Sequence, residues 1–440
     1  MNAVQNPSTL AACEPDGAEA TRRVFAEAVV AAAVLYNFVL CFVNTNLFGI
    51  SAGVVILAEV VLIGIAFVLI WDRSSGLLAV LAFMAAYFAA VMVLRSEFDP
   101  KIVRDLLIPI VFFSVGRYLG FPRSADRLVT LLIAVAFAVA LFEWLAPGAY
   151  LRYFEVLRYY VARGTAETEA DVSVYAGGFF NSARFESRTL LPFLGDHRVS
   201  GIFLEAPSVG NFGAITFAWV LLRDRQHFRA LVAKSFAIVT LIVLADARFG
   251  LYCCLFTLVL YAATPVVRPT MLFIAPLLVI VALVSYAGIN WQEAVSNTML
   301  GRFILAGNIL VTLNPLQVFG LQASDIRTGV RFAMDPVTDS GYAYILIKIG
   351  IAGMAAMWAL FVYAPVHDGN EQRFKNFVAL YYIVLLTISA SVFTIKTAAL
   401  LWFLYGVLGN PERAGRPSLS VEPGAAAPLD GMTQDRRPAL

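Results

Sequence analysis

Residues 24–43 read VFAEAVVAAAVLYNFVLCFV, twenty positions with no lysine or arginine and a single carboxylate, Glu27. A helix rises 1.5 Å per residue, so about twenty apolar residues cross the hydrocarbon of a bilayer. The apolar centre of a cleavable secretory leader is only about 7–15 residues. The run therefore reads as a first spanning helix. Comparable runs recur at 50–71, 76–95, 102–119, 128–146, 201–222, 231–247, 250–266, 269–288, 341–365, 374–393 and 394–409. Composition agrees with this reading. The 440 residues are 60% hydrophobic and 14% charged, with a mean hydropathy of +0.78. Soluble domains carry about 25% charged residues, and a water-facing surface cannot be built from so few. The expectation is an all-α polytopic membrane protein with about twelve transmembrane helices.

Basic residues in the short connections set the orientation. Arg22 and Arg23, Arg73, Arg117 with Arg123 and Arg127, Arg223 with Arg225 and Arg229, Arg268, Arg373 with Lys375, and Arg413 with Arg416 mark alternate connections. The intervening short connections nearly lack them. Both termini are thus expected in the cytoplasm of a bacterial inner membrane. Segments 147–200 and 289–340 become two long exterior, periplasmic loops between helices 1–5 (22–146), 6–9 (201–288) and 10–12 (341–409). Residues 1–21 and 410–440 are rich in Ala, Pro, Gly and Ser without apolar period and read as disordered tails.

Neither long loop is a plain linker. In 149–163, Leu151, Phe154, Leu157 and Val161 recur at helical spacing with tyrosines around them, which predicts one helix lying in the membrane interface. Residues 291–313 predict another, ended by Asn314-Pro315. The net charge of +2 gives no reason to expect a nucleic-acid partner. Cys13, Cys41, Cys253 and Cys254 form no disulfide pattern, and His197, His227 and His367 have no metal-ligand spacing. No metal or cofactor is expected.

The chemistry is expected from charges at the helix mouths. Arg152, Arg158, Arg163, Arg184, Arg188, Arg198, Arg248, Arg302, Arg327 and Arg331 all fall on the exterior side. A guanidinium donates two parallel hydrogen bonds to a phosphate. A basic cavity above the bilayer would suit a lipid-linked pyrophosphate, while each arginine singly is also explained by ordinary loop solvation. Arg248, in Leu244-Ala-Asp-Ala-Arg-Phe-Gly250, either pairs with Asp246 or binds an anion. Glu205 either starts its helix or reaches a cavity beside Pro207 and Gly210. Glu59 has no evident partner, and Glu143 and Lys348 read as interfacial anchors.

From about Arg198 to Gly353 the order of features resembles the O-antigen polymerase and ligase superfamily of Wzy/WaaL-like glycosyltransferases. Arg198-Val-Ser-Gly-Ile-Phe is similar to its Arg-x-x-Gly-x-Phe segment, and Ala247-Arg248-Phe-Gly250 to its Ser-Arg-Gly helix end. Gly301-Arg302-Phe with Asn314-Pro315-Leu316 and Gly320 is similar to its second-loop helix and turn. Asp339-Ser-Gly-Tyr342, followed by Gly350-Ile-Ala-Gly353, is similar to its re-entry stretch. Arg184-x10-Gly195 repeats a spacing of some polymerase loops, whereas Arg331-x9-Gly341 misses it by one residue. Where ligases of this family carry histidine, the chain has Asp339, so the form looks closer to xanthan-type exopolysaccharide polymerases. The resemblance implies a polymerase joining undecaprenyl-pyrophosphate-linked oligosaccharides, one as donor and one as acceptor. Arg184, Arg198, Arg248, Arg302 and Arg331 would bind substrate, and Asp339 or Glu205 would act as base. A flippase and a chain-length regulator are the implied partners. The alternatives are a ligase of the same family and a transporter of lipid-linked sugars.

Overall fold

The computed structural model describes residues 17–73, 75–95, 100–164, 177–180, 182–184, 191–262, 267–290, 299–322 and 340–410. Sixteen α-helices occur among them: α1 Gly17–Asn46, α2 Ala52–Ile70, α3 Ser75–Arg95, α4 Pro100–Leu119, α5 Pro122–Leu145, α6 Pro147–Tyr153, α7 Val156–Ala162 and α8 Ala206–Arg223. There follow α9 Phe228–Leu244, α10 Arg248–Ala262, α11 Pro269–Ile289, α12 Met299–Thr312, α13 Pro315–Val318, α14 Gly341–Val362, α15 Gly369–Ile388 and α16 Ile395–Leu408. A helix stands at each of the twelve apolar runs. Six of them, α1, α2 (continued by a short 3-10 turn), α3, α5, α11 and α14, are long and apolar enough to cross a membrane by length and composition. The others are shorter or more polar. For example, α4 includes Lys101, Arg104, Asp105 and Arg117, and α16 has only 14 residues.

Burial sorts these helices into an inner and an outer set. Every residue of α16 is buried, and its main neighbour is α4. By contrast α2 exposes Ile56, Leu57, Val60, Val61 and Val68. Backbone polar groups are satisfied inside a helix, so an apolar outer face is stable where lipid is the solvent. Water would penalise it.

The predicted interfacial helix over 149–163 is two short helices, α6 and α7, broken at Phe154 and Glu155. Of its four tyrosines only Tyr153 is exposed. Tyr150, Tyr159 and Tyr160 are fully buried against the bundle, because each hydroxyl has an internal acceptor: Gly201 O (3.0 Å), Asn37 Oδ1 (2.7 Å) and Glu205 Oε1 (2.7 Å). Phe38, Phe154, Tyr150, Phe179 and His197 continue the contact as successive stacked rings. The first loop is therefore docked into the same end of the bundle at which α1 and α5 finish. The second predicted loop helix is present from Met299, and Asn314 caps the next one, α13, with Gln317 completing a capping box.

One helix is broken within the apolar region. Gly350 leaves helical geometry inside α14 (φ 70°, ψ 170°), and Gly320 (φ 73°) lies directly against it. A Cβ on either glycine would collide with the other segment's backbone. The carbonyls around the break find donors. Tyr87 Oη donates to Ile349 O (2.5 Å), and Arg95 donates to Lys348 O (3.2 Å) and Gly320 O (2.6 Å). Unpaired carbonyls in an apolar medium cost several kcal/mol, which is why a break here comes with an arginine and a tyrosine.

Candidate functional site

Two polar regions occupy the end of the bundle where the loops dock. The first is built on the α9–α10 reversal, Ala245-Asp246-Ala247. Asp246 takes a left-handed conformation (φ 47°) to make the turn, a geometry that aspartate tolerates better than most residues. On α8 and α10, Gly210 and Gly250 face each other with no room for a side chain, so Arg248 starts its helix close against α8. The free carbonyls at the C-terminus of α9 carry partial negative charge, and two arginines from the first loop meet them. Arg184 donates to Leu244 O (2.7 Å), and Arg198 donates to Ala245 O (3.0 Å) and more distantly to Asp246 O (3.4 Å).

Arg248 Nε lies 3.8 Å from Asp246 Oδ1, with 39% of its side chain exposed. Burial holds the Arg198 guanidinium below its usual pKa; Asp246 opposes this, while neighbouring Arg184, Arg248 and Arg302 add to it. Three of the other predicted substrate-binding arginines, Arg184, Arg248 and Arg302, are thus each within electrostatic reach of Arg198. Arg331 and the predicted base Asp339 lie outside the described residues. Of the two alternatives for Arg248, the structure shows the one with Asp246 as neighbour.

The second region is buried deeper and is balanced in charge. Glu205 precedes α8, but its side chain does not cap that helix. Oε1 accepts from Tyr160, and Oε2 accepts from Ser208 (3.1 Å) and pairs with Lys396 Nζ at 2.7 Å. Lys396, 3% exposed, also donates to Phe203 O (3.3 Å). Leu204 between them is left-handed (φ 59°), a strained conformation for a leucine that its neighbours hold in place.

Glu59, which shows no partner in sequence, has two. Tyr36 Oη and Arg104 each donate at 2.5 Å. Arg104 pairs with Asp105 as well (2.6 Å), and Asp105 accepts from Tyr344 Oη (2.6 Å). Between the two carboxylate groups, Arg163 reaches Asn37 Oδ1 (3.5 Å) and lies 5.9 Å from the Tyr160 ring centroid. Glu59, Asp105 and Glu205 are thereby matched by Arg104, Arg163 and Lys396.

Glu143 is not an interfacial anchor. It is fully buried and accepts from Ser200 N (2.9 Å) and Gly201 N (2.5 Å), fixing the turn that leads from Arg198 to Glu205. His197 Nε2 stands 3.9 Å from it. Burial first, then Arg184, lowers the His197 pKa below its ordinary value. Lys348 lines a small pocket between α4 and α14. Lys396 was the main functional candidate missing from the sequence reading. Its signal was available: a lysine inside an apolar run ordinarily faces a partner or a wet cavity. Among the described residues no group of three or more His, Cys, Asp or Glu is arranged to hold a metal ion.

These features define an all-α, multi-pass membrane protein. Comparison with protein-family models, with curated proteins and with solved structures gave no match.

Proposed function

We propose that the chain is a polysaccharide polymerase that joins polyprenyl-pyrophosphate-linked oligosaccharides at the outer face of a bacterial inner membrane. The observation that carries this reading is the convergence of Arg184, Arg198 and Arg248 at the α9–α10 reversal, with Arg302 within electrostatic reach of Arg198. Their chemistry suits a pyrophosphate attached to a lipid, and their position at helix mouths suits a head group at the bilayer surface. In this reading all twelve apolar helices span, both termini are cytoplasmic, and the two long loops are periplasmic.

The acceptor hydroxyl attacks the anomeric carbon of the donor sugar. A new C–O bond forms, the bond from that carbon to the pyrophosphate breaks, and the lipid pyrophosphate departs with the electron pair. The arginines stabilise the charge that develops on it, in a site with little water to screen them. Arg184 and Arg198 are held by backbone carbonyls and Arg248 is partly exposed; Arg248 is assigned to the leaving group, and Arg302 is assigned with it on the family resemblance. Glu205 is already engaged by an ammonium and two hydroxyls and is a weak base. The hydroxyl proton is assigned to Asp339.

A second reading, a transporter of lipid-linked sugars, is favoured by the break in α14 at Gly350, because transporters use broken helices at their substrate sites. Replacement of Arg248 and Arg302 by alanine, with polymer length as the readout, tests the first reading. Short or absent chains are expected. Long chains in both variants overturn the assignment.

A further inference from the structure

The first loop brings an uncovered phenylalanine back to the end of α5. Pro192–Leu194 forms a single 3-10 turn, opened by proline and followed by Gly195 at φ 90°. Leu194 N donates to Leu191 O (3.2 Å) within the turn, and Trp144 Nε1 donates to Leu194 O (3.4 Å). On the other side, Arg184 N donates to Asp196 O (3.0 Å) and Arg184 Nη1 to Leu191 O (3.5 Å). The turn is held on both sides, with Leu194 buried and Phe193 79% exposed. Water penalises an apolar ring displayed in this way.

What covers Phe193 follows from its height. Trp144 is the last residue but one of α5, a helix long and apolar enough to cross a membrane. Leu131, Phe142 and Leu145 are exposed along one face of that helix, so its apolar surface runs up to the turn. The same rim carries two more exposed aromatics, Phe48 and Tyr153. Asn46, at the end of α1, donates to Tyr153 O (2.8 Å), and only Ala146 separates α5 from α6. Tryptophan and tyrosine gather where hydrocarbon gives way to water, because each has an apolar body and a polar edge. We infer that the turn Pro192–Leu194 inserts Phe193 into the lipid leaflet at this end of α5 and anchors the first loop to the bilayer.

The inference rests on α5 crossing the membrane and not on the polymerase reading. Its consequence for the loop is one of position. The segment held by lipid is the one bonded to the backbone and side chain of Arg184, so the bilayer sets the height of that guanidinium. The interfacial contact that periodicity assigns to 149–163 passes in part to this turn.

The test uses the purified full-length chain in vesicles of phosphatidylethanolamine and phosphatidylglycerol. Phe193→p-benzoylphenylalanine supplies a photocrosslinker, and intact-protein mass spectrometry reads the product. Illumination is expected to shift the mass by one phospholipid, as it should for Val60→p-benzoylphenylalanine on the exposed face of α2. A product of twice the chain mass in place of the lipid adduct would mean that a second copy covers Phe193, and it overturns the proposal. So does a chain that stays unmodified at 193 while the Val60 variant reacts, which places the ring in water. Should the substituted chain not fold, the unsubstituted chain is illuminated with a diazirine-bearing phospholipid. Label on the tryptic peptide 189–198 is then expected; an unlabelled peptide beside a labelled α2 contradicts the anchor.

Discussion

The arginine cluster at the α9–α10 reversal and the buried network around Glu205 and Glu59 lie at one end of the same bundle, yet they differ in charge balance. In the network each carboxylate has a cation: Glu205 has Lys396 with Arg163 nearby, Asp105 has Arg104, and Glu59 shares Arg104. In the cluster, Arg184, Arg198 and Arg248 neighbour Asp246, and the first two are tied to carbonyls. Buried charges are costly, and a protein keeps them in a dry interior when they are paired and hydrogen-bonded. The network thus answers to the protein itself, orienting α7, α8 and α16. The cluster, in the proposed reading, answers to the substrate.

The largest effect that would break this contrast is catalytic. Arg248→Ala with Arg302→Ala is expected to lower polymer formation by about 10²–10³-fold, the scale of a lost charge-stabilising donor. The thermal midpoint should hardly change. A large stability loss with normal polymer length would assign the cluster to folding instead.

The network should behave in the opposite way. Lys396→Met leaves Glu205 buried beside two hydroxyls without its cation and should destabilise the fold by about 3–5 kcal/mol. Adding Glu205→Gln should restore most of that loss, as measured by denaturation in detergent. No second substitution should rescue the arginine pair in the same way.

A smaller effect is expected at the helix break. Gly350→Ala forces a positive φ on alanine and collides with Phe319 O, at a cost of about 1–3 kcal/mol. Hydrogen exchange should show the loosening first around Gly320.

The smallest effect is the pH response of His197, which faces Glu143, Arg184 and Asp196. Its pKa is lower in the folded chain than in the unfolded one. The unfolded state then binds more protons, so this contribution is present above about pH 6.5 and is lost as pH falls. His197→Phe keeps the stack on Phe179 and should flatten the dependence of the thermal midpoint between pH 7.5 and 5.5.

Much of the fold was legible because a spanning helix writes its length directly into the sequence, and a helix stands at every apolar run. The arginine convergence was legible in part, since arginine at a short helix mouth is conspicuous. The network was not. Glu59 meets Tyr36 and Arg104 across 23 and 45 residues, and Asp105 meets Tyr344 across 239. No local spacing encodes such pairings. Three of the four tyrosines of 149–163 depart from the expected rim for a related reason. Periodicity marks which residues share a face, but the buried acceptors Asn37, Gly201 and Glu205 decided that these hydroxyls could turn inward.

The central claim, polymerisation of lipid-linked repeats by this chain, is tested most directly by deleting it in its own cell and recovering the lipid-linked sugars. The account predicts that single repeat units accumulate on their carrier at the outer face of the membrane and that long polymer is lost. Single repeats trapped at the inner face would identify a transporter, and polymer of normal length would contradict the account outright.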